Sequence, residues 1–196
     1  FKMNNVSSIH GGIIIMNIET SRLFIKPIDD SSLNCIIECI DNISLSMPVP
    51  KNPSSYHRKK FLKFNDKIRA FNSLGYFSIN LKKNLETIGI LSVIPRYVKE
   101  NLINELGYLI AKDYRNNGFA YEVILNTLTF VFTKTDITSI YSLVERENII
   151  SKYILENKMK FDLIDVIIDK NNFKNIYTID KTKFMKNFKF LKSTQI

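Results

Sequence analysis

The residues best suited to chemistry in this 196-residue chain fall between Glu105 and Glu122. An apolar strand, Leu106 to Ala111, runs into Lys112-Asp113-Tyr114-Arg115-Asn116-Asn117, and Gly118 stands at the mouth of an apolar helix. Glycine there lets the backbone turn tightly and come close to a ligand. The first amide groups of that helix lack internal partners and sit at the positive end of its dipole, so they suit a pyrophosphate. No Gly-Lys-Ser/Thr follows, which excludes a P-loop, and the glycines of a dinucleotide fingerprint are missing. Taken alone, Arg-x-x-Gly-x-Ala is equally the plain start of a helix.

Other reactive side chains are sparse. Cys35 and Cys39 lie four apart in a predicted helix, on one face, and cannot close a relaxed disulfide there. With His10 and His57 far away they make no metal cluster. They are expected as apolar filling of that helix, in keeping with a reducing cytoplasm. A net charge of +9 points toward an acidic partner such as RNA or the ribosome. Yet the excess is 22 Lys against 6 Arg, and Ile, Lys and Asn fill 73 positions, which an AT-rich coding sequence also produces. Five of the lysines follow residue 180 with no acid among them, so much of the excess belongs to a basic tail. Hydrophobic residues at 45% against 24% charged residues supply a real core and exclude a disordered chain. No apolar run nears the roughly 18 residues of a membrane-spanning helix, so no membrane partner is expected.

The elements around the turn follow from pattern. Arg22 to Ile28 alternates as a short strand ending at Pro27. Asp29-Asp30-Ser31-Ser32 caps a helix whose Leu33, Ile36, Ile37 and Ile40 recur at helical spacing. Prolines 48, 50 and 53 force a loop, and Ser54-Ser55 opens a second helix, basic on one side, to about Ser73. Three strands follow: Gly75 to Leu81, Glu86 to Ile94 (stopped by Pro95) and Leu106 to Ala111. The helix after Gly118 turns Val123, Leu125, Leu128, Val131 and Phe132 inward. Then come a strand at Ser139 to Val144, a helix at Ile149 to Asn157 with Asn157 as left-handed C-cap, and strands at Phe161 to Ile168 and Asn175 to Ile179. Phe184 and Phe188, one helical turn apart, either pack a terminal helix onto the sheet or serve an RNA surface. No repeat or linker divides the chain. It reads as an extension over 1–16 (Met16 being a candidate start), one domain over 17–180 and a Lys-rich tail over 181–196, in the α+β or mixed α/β class.

Four segments, in this order, look like parts of one known family. Ile18-Glu19-Thr20-Ser21-Arg22-Leu23 with Pro27 resembles its opening strand, and Ile88-Gly89-Ile90-Leu91 its second meander strand. Glu105-Leu106-Gly107-Tyr108 running into Arg115-x-x-Gly118-x-Ala120 is similar to its acetyl-CoA motif. Asn148-Ile149-Ile150-Ser151, with Leu155-Glu156 and Phe161, looks like the helix that cradles pantetheine and the strand after it. Together they resemble the GNAT superfamily of N-acetyltransferases, most closely the branch of the ribosomal-protein-alanine acetyltransferases. That implies a central, mostly antiparallel sheet of six to seven strands, helices on both faces, and a splayed central strand pair.

The resemblance also implies roles. Amides of Asn116, Asn117, Gly118, Phe119 and Ala120 would hold the diphosphate of acetyl-CoA with Arg115 beside it. The backbone at Tyr108, Leu109 and Ile110 would pair with pantetheine, and Asn148 would bond it from the facing helix. An amine acceptor arrives mostly as ammonium, so a base must take its proton before attack on the thioester. Glu105 holds the place where the family often puts that carboxylate, where apolar neighbours could raise its pKa. An N–H near Leu109 could stabilise the oxyanion. Many relatives carry a leaving-group Tyr where this chain has Leu155, and Ser151 is the acid of the ribosomal branch. Each has a plainer reading: Tyr108 and Ile110 as core, Asn148 as helix cap, Glu105 as a solvated charge. The acceptor is expected to be a protein N-terminus, a ribosomal protein by resemblance, or a small amine. Ribosome association and an oligomer stay open. A binding module without turnover, or a basic RNA-associated protein, are the alternatives.

Overall fold

Strands that are apolar on both sides need two covered faces, and the structure provides them. The computed structural model describes residues 8–10, 13–39, 53–72, 74–169 and 172–188. Ile40, most of the proline-rich loop and the chain beyond 188 lie outside the described residues. Strands β1 (Ser8–His10) and β2 (Ile13–Ile15) form a separate antiparallel hairpin. The main sheet contains β3 (Ile18–Glu19), β4 (Leu23–Pro27), β5 (Gly75–Leu81), β6 (Thr87–Val98), β7 (Asn101–Ile110), β8 (Ser139–Glu145), β9 (Asp162–Asp169) and β10 (Asn172–Asp180). Their order is β3-β4-β5-β6-β7-β8-β10-β9, and only β7 and β8 are parallel neighbours. The eighth strand, beyond the six to seven expected, is the two-residue β3.

Helices α1 (Asp30–Cys39) and α2 (Ser55–Asn72) cover one face, where Leu33, Ile36 and Phe61 meet Tyr76 and Ile90. Asn65, fully buried in α2, ties that layer to the sheet by accepting from the Tyr76 amide (2.7 Å) and donating to its carbonyl (3.0 Å). The other face is covered by α3 (Phe119–Lys134), which buries Val123, Ile124, Leu128, Val131 and Phe132 completely. At about 1.5–3 kcal/mol per buried side chain, this packing rather than helix propensity fixes where α3 begins. Leu125, expected inward, is only half-buried at the rim. Helix α4 (Ile149–Tyr153) continues as a π-helical turn (Ile154–Lys158), and α5 (Lys181–Asn187) closes the fold. Phe184 and Phe188 pack beneath α5, with the Phe184 ring 5.4 Å from that of Phe132, so neither ring is free to stack on bases. No helix among the described residues is long and apolar enough to cross a membrane.

Several expectations need correction. Pro95 does not stop β6, which runs on to Val98 opposite a longer β7. The neighbouring strand β5 has ended by then, its last pair being Gly75 with Val93, so the missing Pro N–H deprives no ladder. Cys35 is exposed, because it stands about 200° round α1 from buried Leu33 and about 100° from buried Ile36; the Cys39 side chain is outside the described set. The left-handed residue after the π turn is Lys160 (φ 62°), not Asn157.

Candidate functional site

The central strand pair sets the frame. β7 and β8 are bridged at a single residue pair, Glu105 with Tyr141. Just past it the Ser142 hydroxyl donates to the Leu106 carbonyl (3.0 Å), and then the two strands run on without pairing. β7 remains fully laddered to β6 as far as Ile110 with Gly89. The backbone groups of Tyr108 and Ile110 that face β8 therefore have no strand partner, whereas those of Leu109 face Ile90 of β6. Gly89 makes the β6–β7 approach possible, since a Cβ there would lie 2.3 Å from the Leu109 carbonyl oxygen.

Alternation along β7 sorts the side chains onto two faces. Leu106, Tyr108 and Ile110 belong to the α3 layer, whereas Leu109 belongs to the α1–α2 layer. Glu105, an odd position like Leu109, shares the α1–α2 face with Tyr76. The gap between β7 and β8 thus separates two compartments.

On the α3 side, the strand ends in a 3-10 turn at Lys112–Tyr114 whose Tyr114 hydroxyl donates to the Glu86 carboxylate. The turn then passes through Asn116 (φ 62°) and Gly118 (φ 75°). Asn tolerates this left-handed conformation and Gly adopts it freely. Asn117 shapes the loop by donating to the Arg115 and Tyr114 carbonyls (2.9 and 3.3 Å). The first helical bond closes from Glu122 to Gly118. The amides of Phe119, Ala120 and Tyr121 precede it and are left for an external acceptor. Arg115, placed beside the diphosphate by resemblance, folds back so that its Nε donates to the Ile110 carbonyl (3.0 Å). That takes one lone pair of a group expected to bond pantetheine.

Arg22 and Glu122, which sequence reasoning did not assign to the site, hold the turn in place. Glu122 is buried and accepts from Arg22 Nε (2.7 Å), and from Thr20 Oγ1. Arg22 also donates to the Asn117 carbonyl (2.9 Å) and lies 4.4 Å over the Phe119 ring. They stand 100 residues apart, so no local spacing announces them. Beside the turn opens a cleft of about 640 Å³ bounded in part by Arg22, Lys82, Lys83, Asn117 and Phe119. Of its cations Arg22 is paired with Glu122 and Lys82 with Glu19, and Asp113 lines the same cleft beside Lys83.

Helix α4 stands across the gap. Asn148 accepts from the Ser151 amide (3.0 Å), so its side-chain oxygen caps the helix, as the plainer reading has it. Ser151 is the polar side chain that the buried Tyr108 hydroxyl meets across the gap. Burial pushes the Tyr108 phenol above its ordinary range.

On the α1–α2 side, Glu105 meets a guanidinium rather than the apolar neighbours expected. Its oxygens accept from Arg96 Nη1 at 2.9 and 3.3 Å. Arg96 also reaches Asp169 (2.8 Å), which Lys174 holds in turn (2.9 Å). Burial, reinforced by the Glu105 charge, pushes the Tyr76 phenol up to about 12. Among the described residues no cluster of three His, Cys, Asp or Glu side chains could hold a metal.

The fold has counterparts in known proteins. The acetyltransferase (GNAT) domain family model matches residues 22–158. A GNAT-family acetyltransferase of Bacillus anthracis superimposes with a TM-score of 0.67 at 18% identity, covering 85% of this chain and 99% of that one. The ribosomal-protein-S5-alanine acetyltransferase of Vibrio fischeri gives 0.67 at 15% identity (86% and 98% covered). A spermidine/spermine N-acetyltransferase of Vibrio cholerae gives 0.65 at 19% identity (86% and 98%). At such identities the likeness shows the fold. No curated protein sequence matches the chain.

Proposed function

The chain belongs to the acetyltransferase (GNAT) domain family, and from that premise we propose that it acetylates a protein N-terminus, with a small amine as the competing acceptor, in a ternary complex with acetyl-CoA. The observation that carries this reading is the gap between β7 and β8, open beyond Glu105 and flanked at one end by the free amides around Gly118. Acetyl-CoA supplies a thioester whose acetyl group is ready for transfer to an amine. The amides of Asn116, Asn117, Gly118, Phe119 and Ala120 suit its diphosphate, with Lys83 adding positive charge nearby while Arg22 and Lys82 are held by Glu122 and Glu19. The unpaired edge of Tyr108 to Ile110 suits the amides of its arm, and fixing that arm against the incoming amine supplies much of the acceleration. Asn148 keeps its side-chain nitrogen for the same arm.

Glu105 lies on the opposite face and takes the ammonium proton, directly or through one water. As the C–N bond forms and the C–S bond breaks, Ser151 hands its hydroxyl proton to the leaving thiolate and regains one from the nitrogen, which sheds its second proton on becoming an amide. The Leu109 N–H expected to meet the oxyanion faces Ile90 of β6 in this register, so the N–H groups of Tyr108 and Ile110, which face the gap, are the candidates for that role. The acids at this end, Glu105, Asp165 and Asp169, are each faced by a cation of the protein: Arg96, Lys99 and Lys174. That supports an acceptor with one positive charge, such as a peptide α-amine, over a polyamine. A thiol-release assay with acetyl-CoA tests the reading on N-terminal Ala and Ser peptides beside spermidine. Peptide turnover exceeding spermidine turnover is expected; no thiol release with any amine would overturn it.

A further inference from the structure

The positive charge of this chain is uneven in a way that an AT-rich coding sequence does not explain. Helix α2 carries six Lys and Arg against one acid, and the residues from 181 on carry five Lys and no acid. The rest of the chain holds 17 basic side chains against 18 acidic ones and is close to neutral. Codon bias spreads lysine along a chain; it does not leave the whole excess on two segments. On α2 the placement is also one-sided. Arg58 and Arg69 lie half-buried on the flanks and meet Asp30 (3.9 Å) and Asp66 (3.2 Å). Lys59, Lys60, Lys63 and Lys67 are exposed and pair with no acid among the described residues. At about 100° per residue, all four fall within about 60° of the direction opposite buried Asn65, along about 12 Å of helix. Tyr56, 66% exposed, stands on the same stripe, and Phe64, 44% exposed, borders it.

We propose that this stripe of α2 binds single-stranded RNA, with its lysines on phosphates and its two exposed rings against bases. Lysine meets phosphate as a compact point charge, and an aromatic face stacks on any base. Unstacked bases are what the loops and ends of RNA present, whereas duplex DNA keeps its bases inside. A lipid surface fits less well, because a helix lying on a membrane needs an apolar face to enter it. The apolar side of α2 (Phe61, Leu62 and Ile68) is already packed with residues of α1 and the sheet. An acidic protein would answer the charges but leave Tyr56 and Phe64 without planar partners. The C-terminal basic segment offers charge alone, since its described rings, Phe184 and Phe188, are buried. Helix α2 covers the same face of the sheet that holds Glu105, so a protein carried on the bound RNA reaches that compartment. This last consequence rests on the acetyl-transfer reading; the binding itself does not.

Fluorescence anisotropy of a labelled oligouridylate with the full chain tests this in the absence of acetyl-CoA, so its outcome is separate from that of acetyl transfer. Four phosphate contacts on a single strand should make the affinity fall roughly 50-fold between about 50 and 200 mM salt. The combined variant Lys59→Gln, Lys60→Gln, Lys63→Gln and Lys67→Gln should lose that much affinity at the lower salt and show a flattened salt dependence. A matched variant, Lys181→Gln, Lys186→Gln, Lys189→Gln and Lys192→Gln, removes the same charge and should bind within a few-fold of wild type. Tyr56→Ala combined with Phe64→Ala should weaken binding about fivefold or more and leave the salt dependence as it was. A wild-type chain that does not bind, equal loss in the two lysine variants, or an aromatic variant that binds like wild type would each overturn the proposal. Phosphatidylserine vesicles or polyglutamate that displace the oligouridylate at equal charge would overturn it in favour of a lipid or an acidic protein.

Discussion

Gly118 takes its backbone angle, φ 75°, where space is not the constraint: a Cβ would sit 3.7 Å from Arg22 Nη2. The demand is torsional and costs a non-glycine residue about 1–2 kcal/mol. Gly118→Ala should therefore weaken acetyl-CoA binding roughly 5- to 30-fold by calorimetry, if that cost falls on the bound form; unchanged affinity and unchanged stability would remove the turn from the site. Glu105→Gln isolates the other compartment. It should leave acetyl-CoA affinity alone and lower kcat by about 100-fold or more, the usual worth of a general base. An equal kcat would show that the carboxylate only holds Arg96. At this scale Gly118 was legible because its type serves one backbone need. Arg96 was not, since its meeting with Glu105 depends on a cross-strand register that opposes Arg96 to Ile103.

Elements carry the next set of consequences. Burial works against the charge of Asp29, but the Ser32 amide and hydroxyl, the Ser31 hydroxyl and nearby Lys26 bring its carboxyl down to about 2. A carboxyl depressed in the folded state contributes stability above its unfolded pKa and loses it as pH falls. The α1 cap should thus weaken between about pH 4 and pH 2. Asp29→Ala should cost about 1 kcal/mol at neutral pH in urea unfolding, shrinking toward zero near pH 2; a pH-independent cost would deny the cap its charge. Gly89→Ala presses on the Leu109 carbonyl and should cost about 1–3 kcal/mol while loosening β7 beside the gap. A cost under about 0.5 kcal/mol would mean the strands part freely there. Element types were readable from periodicity and caps, including Asp29 and Asn148. Boundaries set by tertiary partners were not. Pro95 survives inside β6 only because β5 has already ended, which no local pattern reveals.

At the scale of the whole molecule, the sheet opens between β7 and β8, with the α3 layer on one face and the α1–α2 layer on the other. Its class followed from the order of the elements, and the splayed pair only from the family resemblance carried by the motif at Glu105 to Ala120. The partition did not, since it needs the parity of β7 tied to the α3 and α1–α2 layers. Nor did the Arg22–Glu122 brace, which joins the first strands of the sheet to α3 across 100 residues. If the opening is the cofactor site, ligand contact must register first at its rim. Backbone amide chemical shifts followed by NMR during titration with acetyl-CoA read this directly. The account predicts saturable shifts at Asn116 to Ala120 and at Tyr108 to Ile110, with the exposed edge of β9 unmoved. Binding that leaves both stretches unshifted, or no shift anywhere at millimolar acetyl-CoA, would contradict it.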